Sequence, residues 1–224
     1  MKLIRCEAQI EALINNKRWK EVINKPIDYP VLSGADIYKY FLQDYSRTYG
    51  NIIENTEWND CVVNISDHIA KGEPMILYGM TGVGKTSIMQ TFGRILSILG
   101  NPNHLPFITK RATDLVDEFK KGADINQLYS KPITSGLKRN AGLFIDDIGA
   151  EELGVSYGAK SDVIGDLIQA IDARHDMKDR VSFSTNLNGD DIKERYGERV
   201  YSRLFQNRTV IVFPESIPDF RLRK

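Results

Sequence analysis

The sequence predicts an α/β fold, and three stretches carry that prediction. The first is the short apolar run Pro74-Met75-Ile76-Leu77-Tyr78. It is followed by Gly79-Met80-Thr81-Gly82-Val83-Gly84-Lys85-Thr86 and then by Ile88, Met89, Phe92, Ile95, Leu96 and Leu99 at helical spacing, giving strand, loop and helix in that order. The second is Leu143-Phe144-Ile145-Asp146-Asp147, an apolar strand ending in two acids. The third is Val181-Ser182-Phe183-Ser184-Thr185-Asn186, a further strand ending in a polar cluster. Strands that alternate with helical segments imply a sheet with helices packed on it.

A chain of 224 residues is long enough for one such core and a small appendage. No apolar run approaches the ~20 residues that span a bilayer, and the first residues lack the apolar stretch of a signal peptide. Cys6 and Cys61 lie far apart in no ligand spacing, and His68, His104 and His175 are scattered. Reduced thiols, a cytoplasmic location and no zinc site are therefore expected. Lys and Arg (30) balance Asp and Glu (30), which argues against strong indiscriminate DNA binding. The balance is uneven along the chain. Residues 140–192 carry four bases and eleven acids, residues 104–139 seven and four, and residues 193–224 eight and four. Local basic segments of that kind permit a nucleic-acid groove as readily as a mixed solvated surface.

From the start of the chain, Ile4, Ala8, Ile10, Leu13, Ile14, Val22 and Ile23 form an imperfect apolar stripe, expected as a helix over 1–24 that Pro26 and Pro30 end. Ser33 with Asp36 three residues on opens a second helix, about 35–48, ended by Gly50. Its Tyr38, Tyr40, Phe41, Tyr45 and Tyr49 suit either packing or stacking on bases. A third helix over 57–71 places Trp58, Val62, Ile65 and Ile69 on one side and leads into the first strand.

The loop Gly79 to Thr86 fits Gly, four free positions, then Gly-Lys-Thr. Glycines let successive N–H groups turn inward around a phosphate, and the following helix, with Ser87 in its first turn, adds the positive end of its dipole. Lys85 is placed to reach the β- and γ-phosphates, and the Thr86 hydroxyl to ligate Mg²⁺. After this helix, His104 to Thr109 reads as a strand. Lys110 and Arg111 lead to a helix that begins at Ala112 or Thr113 and carries Leu115, Val116 and Phe119, and Pro132 and Gly136 mark a loop. At the end of Leu143–Asp147, Asp146 is suited to hold Mg²⁺ and Asp147 to orient or deprotonate an attacking water.

Residues 160–174 are expected as an amphipathic helix through Val163, Ile164, Leu167, Ile168 and Ile171. Asn186 either holds the water beside the γ-phosphate or starts the turn into Gly189-Asp190. Arg199 and Arg203, four apart, share one helix face, where they either await an anion such as a neighbouring subunit's nucleotide or simply make an exposed basic helix. Thr209 to Phe213 is a last strand stopped by Pro214, and the roughly ten residues that follow leave no room for a helical lid.

Together these residues resemble the AAA+ ATPases of the DnaC/DnaI/IstB helicase-loader type. The matching pieces are Tyr78 to Thr86, Leu143 to Glu151, Ser184-Thr185-Asn186 and Arg195 to Phe205, in the family's order across roughly residues 56–214. The resemblance implies a P-loop NTPase core with a five-stranded parallel sheet ordered 5-1-4-3-2. It implies ATP and Mg²⁺ as ligands, Asn186 as the first sensor, and Arg203 as the arginine finger with Arg199 as second candidate. It further implies nucleotide-dependent homo-oligomers around single-stranded DNA. Residues 1–55 become a helical segment that binds a replicative DNA helicase or, in the transposition branch, a transposase, and residues 56–224 the ATPase domain. Lys110, Arg111, Lys138 and Arg139 are candidate DNA contacts. Asp147 stands where many AAA+ proteins have Glu, so slow hydrolysis is expected, and a nucleotide-dependent binding module with negligible hydrolysis is the alternative. A small-molecule phosphoryl transferase would need an Arg-bearing lid, for which no segment is found.

Overall fold

The computed structural model describes residues 30–50, 54–99, 104, 107–121, 130–132, 138–140, 142–151, 154–156, 159–161, 164 and 181–222. The helix expected over 1–24 lies outside them, as does most of the one expected over 160–174. Five parallel strands form the central sheet: β1 (Met75–Tyr78), β2 (Phe107–Arg111), β3 (Gly142–Ile148), β4 (Val181–Thr185) and β5 (Thr209–Val212). Their order is β2-β3-β4-β1-β5, which read from the other edge is the expected 5-1-4-3-2. The chain leaves β1 for the far edge and steps back through β3 and β4 before crossing to β5. The crevice beyond the carboxyl ends of β1 and β4 is therefore the switch point where open α/β sheets take ligands.

Among the described residues six α-helices accompany the sheet: α1 (Gly34–Tyr49), α2 (Thr56–Lys71), α3 (Lys85–Leu99), α4 (Ala112–Lys120), α5 (Gly189–Tyr196) and α6 (Glu198–Phe205). Ser33 and Asp36 form the expected capping box at the start of α1. Asn55 caps α2 through the Trp58 N–H at 2.8 Å, and Gly72 ends it at φ 71°.

Because side chains alternate across each strand, the sheet feeds two cores. Ile76, Leu143, Ile145, Val181 and Phe183 face α4, α5 and α6, joining Leu115, Val116, Ile192, Tyr196, Val200 and Leu204. Met75, Leu77, Phe144 and Ile211 face the other way, onto α1, α2 and α3. The aromatic residues of α1 are used here as packing. Phe41 stacks on Phe92 with centroids 4.7 Å apart and on Tyr45 at 5.1 Å, and Trp58 is fully buried beside them. No helix among the described residues is long and apolar enough to cross a membrane.

Four local differences from the expected elements have physical reasons. The second strand runs Phe107–Arg111 rather than ending at Thr109, because parallel pairing with β3 continues to Arg111 opposite Asp146. The stretch from Gly189 to Phe205 is two helices, α5 capped by Asn188 and α6, which carries Arg199 and Arg203, separated by Gly197 at φ 85°. Lys160 and Ser161 belong to a small antiparallel hairpin, Gly154–Ser156 with Ala159–Ser161, so no helix starts at 160. A second hairpin, Ser130–Pro132 with Lys138–Asn140, brackets the expected loop at 132–136. Three-residue strands are too short to show an alternation in sequence.

Candidate nucleotide-binding site

The loop after β1 wraps the start of α3, with the Ile88 N–H donating to the Gly84 carbonyl at 2.9 Å. Gly82 sits at φ 89°, a conformation that side chains rarely adopt. Lys85 is 5% exposed, and its ammonium donates to the carbonyls of Gly79 at 2.6 Å and Met80 at 2.9 Å. Burial pushes its pKa down, Asp147 and Asp146 pull it back up, and Arg221 adds to the lowering. Ser87 Oγ turns to the Gly84 carbonyl at 2.9 Å. Val83 is buried, while Met80 and Thr81 stand open to solvent.

Opposite the loop lie the strand tips. Asp146 is 1% exposed. One carboxylate oxygen accepts from the Thr86 hydroxyl at 2.7 Å, the other from the Ser184 hydroxyl at 2.5 Å. Ser184 Oγ in turn accepts the Asp147 backbone N–H at 2.8 Å. Beyond this point β3 slips register against β4 between Ile145 and Ile148, and Asp147 takes φ 57° at the exposed tip. Partial desolvation and the adjacent Asp146 carboxylate raise its pKa. Lys85, Arg111 and Arg221 oppose that shift. Asn186 Nδ2 reaches Thr81 Oγ1 at 3.4 Å across the mouth.

The phosphate-loop residues, Asp146, Asp147 and Asn186 thus converge on one rim. A hydroxyl and a carboxylate in direct contact, both hard oxygen donors, fit a Mg²⁺ ion beside a triphosphate. Arg199 and Arg203 do not join this group. They lie on α6, Arg199 exposed and Arg203 half-buried, and among the described residues neither has an ion-pair partner. Of the candidate DNA contacts, Lys110 pairs with Glu118 at 2.5 Å, and Arg111 acts on Asp147. The side chains of Lys138 and Arg139 lie outside the description.

Several contributors carry no motif of their own. After β5 the chain returns as a strap over the loop. The Phe220 N–H donates to the Gly82 carbonyl at 3.1 Å, and Phe220 meets Trp58 edge-on at 6.3 Å. The Trp58 indole N–H donates to the Val83 carbonyl at 3.1 Å. Arg221 pairs with Asp219 at 2.6 Å and adds a cation near Lys85 and Asp147. Ser184 could have been suspected from its place at a polar strand end. Nothing in the sequence marks Arg221.

No family model matches the sequence, and no curated protein does. Solved structures do. An AMPPCP-bound DnaA from Aquifex aeolicus aligns with TM-score 0.54 at 17% identity, covering 79% of this chain and 50% of that one. A DNA replication initiation factor aligns with TM-score 0.50 at 19% identity, covering 77% and 49%. The chain has the AAA+ fold. It spans about half the length of these two structures. In this fold the loop after β1 and the tips of β3 and β4 meet at one rim, which brings the phosphate loop, the acid pair and Asn186 together.

Proposed function

We propose that the chain is an ATPase of DNA replication, of the DnaC-like helicase-loader type, whose hydrolytic centre is completed by a second copy. The observation that carries this reading is the convergence of Lys85, the Thr86–Asp146 contact at 2.7 Å, and Asp147 at one rim. Backbone N–H groups of Gly79 to Thr86 and the Lys85 ammonium hold the β- and γ-phosphates, with Lys85 moving from the Gly79 and Met80 carbonyls to the phosphate oxygens. Thr86 and Asp146 hold Mg²⁺, which when bound neutralises charge on those oxygens. Asp147 orients the water and takes its proton. A carboxylate raised above its ordinary range is the stronger base for that step. Asn186, already turned to Thr81, fixes the water from the other side.

The cation for the developing charge is Arg203 of a neighbouring copy, with Arg199 as second candidate. An arginine finger contributes about 10³–10⁵ in rate, so turnover of a lone subunit is very low. ATP then acts mainly by favouring the assembled state, and hydrolysis releases it. The AMPPCP-bound DnaA relative supports a nucleotide in this fold. The DNA replication initiation factor with which the chain aligns is the basis for placing it in the same process. Single-stranded DNA in the assembly and a replicative helicase on residues 1–55 follow from the helicase-loader resemblance.

The test has two parts. Lys85→Ala should abolish ATP binding, and Arg203→Ala should spare binding while removing turnover stimulated by single-stranded DNA and partner. Retained affinity in the first variant removes the site assignment. Binding without any stimulated hydrolysis in the unaltered protein favours a nucleotide-dependent binding module. Capture of a transposase rather than a helicase by residues 1–55 favours the transposition branch.

A further inference from the structure

Four residues past Asp147 the chain buries a carboxylate that the hydrolytic centre leaves unused. Glu151 is 4% exposed. Its Oε2 accepts the Gly149 backbone N–H at 2.9 Å, closing the turn after β3. Its Oε1 accepts the Tyr196 hydroxyl and lies 3.6 Å from Arg195 Nη2, and the Arg195 guanidinium also donates to the Glu151 carbonyl. Tyr196 is buried, and desolvation together with the Glu151 charge pushes its phenol far up, so it remains a donor. A buried charge is costly unless fully paired, and apolar side chains would fill the same space more simply. Such an arrangement has value where it fixes one orientation among several.

The orientation it fixes is that of α6. Tyr196 is the last residue of α5; Gly197 at φ 85° ends that helix, and Arg199 and Arg203 follow on α6. The N-terminus of α6 has no side-chain cap. The C-terminal end of α6 is tied to β4 by the Arg208 guanidinium, which donates to the Arg203 and Leu204 carbonyls and to the Val181 carbonyl. The rest of its hold is the apolar face of Val200 and Leu204 and, at the end that carries Arg199, the anchored end of α5. Asp147, by contrast, is held without Glu151. Its N–H goes to Ser184, and its carbonyl accepts the Ala150 N–H at 3.1 Å. Gly149, at φ 105°, packs so closely on Leu187 that an added Cβ would lie 2.4 Å from Leu187 Cδ1, tying the same turn to the residue after Asn186.

We propose that Glu151 is a positioning residue that sets how α6 presents Arg199 and Arg203 to the neighbouring copy. This rests on the reading of Arg203 as acting in trans. A Glu151→Gln subunit should therefore be a poor donor of the arginine yet keep a competent nucleotide site of its own. Mixed assemblies separate the two roles. Lys85→Ala subunits lack a site but can donate, whereas Arg203→Ala subunits have a site but cannot donate.

Alone, Glu151→Gln should bind ATP normally and lose stimulated turnover about tenfold or more, as expected for a broken coupling worth about 1.4 kcal/mol or more. Mixed with Lys85→Ala it should recover turnover, and mixed with Arg203→Ala it should not. Recovery with Arg203→Ala and none with Lys85→Ala would overturn the proposal, because Glu151 would then serve its own site. Tyr196→Phe should repeat the pattern more mildly and keeps the test decisive if Glu151→Gln folds poorly. The mixture of Lys85→Ala with Arg203→Ala is the control. If that pair does not recover, the trans reading itself has failed and takes this inference with it. If it recovers while Glu151→Gln complements the wrong partner, only the present inference falls.

Discussion

Replacing Ser184 by Ala tests the architecture of the acid pair with the smallest change. Ser184 is fully buried, donates to Asp146 at 2.5 Å and accepts from the Asp147 N–H at 2.8 Å. A hydrogen bond to a charged group contributes about 1.5–3 kcal/mol, and an orphaned backbone N–H costs about 1–3 kcal/mol. The Asp147 tip is exposed, so water can satisfy that N–H in part and the lower end applies. The expected loss is about 2.5–4 kcal/mol, or a fall in Tm of about 5–15 °C for a chain of this size. Urea unfolding of the nucleotide-free protein reads it directly, with an unchanged m-value showing that only stability moved. Stimulated ATP turnover should fall as well, because both Asp146 and the Asp147 backbone lose their shared support. A loss below about 1 kcal/mol, the net contribution of an ordinary hydrogen bond, would show that Ser184 does not hold Asp146, and the reasoning would fail.

Gly82→Ala should destabilise by about 1–2 kcal/mol from its positive φ and should also displace the strap, since a Cβ there would lie 2.0 Å from Asp219 Oδ1. Weakened nucleotide affinity in equilibrium titration is the expected result, and unchanged affinity refutes the contact. Turnover should fall as pH drops through the Asp147 pKa, which stands above its usual 3.8, because protonation removes the base. Arg111→Gln removes one of the opposing cations, so the acid limb of the pH profile should move to higher pH; a limb that stays put refutes Asp147 as the titrating group. The Cys61 thiol is pushed up to about 11 from 9.0 by burial first, with Asp60 and Glu57 adding to the shift. In a Cys6→Ser background its alkylation at pH 8 should run about a hundredfold slower than for an exposed thiol, from thiolate fraction alone, and reach the ordinary rate only in denaturant.

The strand–loop–helix unit and the acid pair were legible in the sequence, because each depends on local pattern: glycine spacing, an apolar run, acids at its end. The strand order came only with the family resemblance. What was not legible depends on contacts across the fold. Lys110 and Arg111 look like a basic lead-in to a helix, yet pairing with β3 draws both into the sheet. The stretch from Gly189 to Phe205 reads as turn and then helix until Asn188 is seen capping α5 and Gly197 separating the two helices. Glu151 sits in a recognisable motif, but its partners Arg195 and Tyr196 lie 44 and 45 residues away. Arg221 has no neighbouring signal at all and matters only because the strap folds back.

That strap has a practical corollary for anyone handling the protein. Its Phe220 amide and Asp219 side chain rest on Gly82, so whatever is fused just beyond Leu222 begins beside the phosphate cradle. A histidine tag or fluorescent label joined at that point would crowd the very contact that an affinity measurement is meant to read. Exposed positions near the other end of α3 from Lys85, such as Ile98, are safer points of attachment.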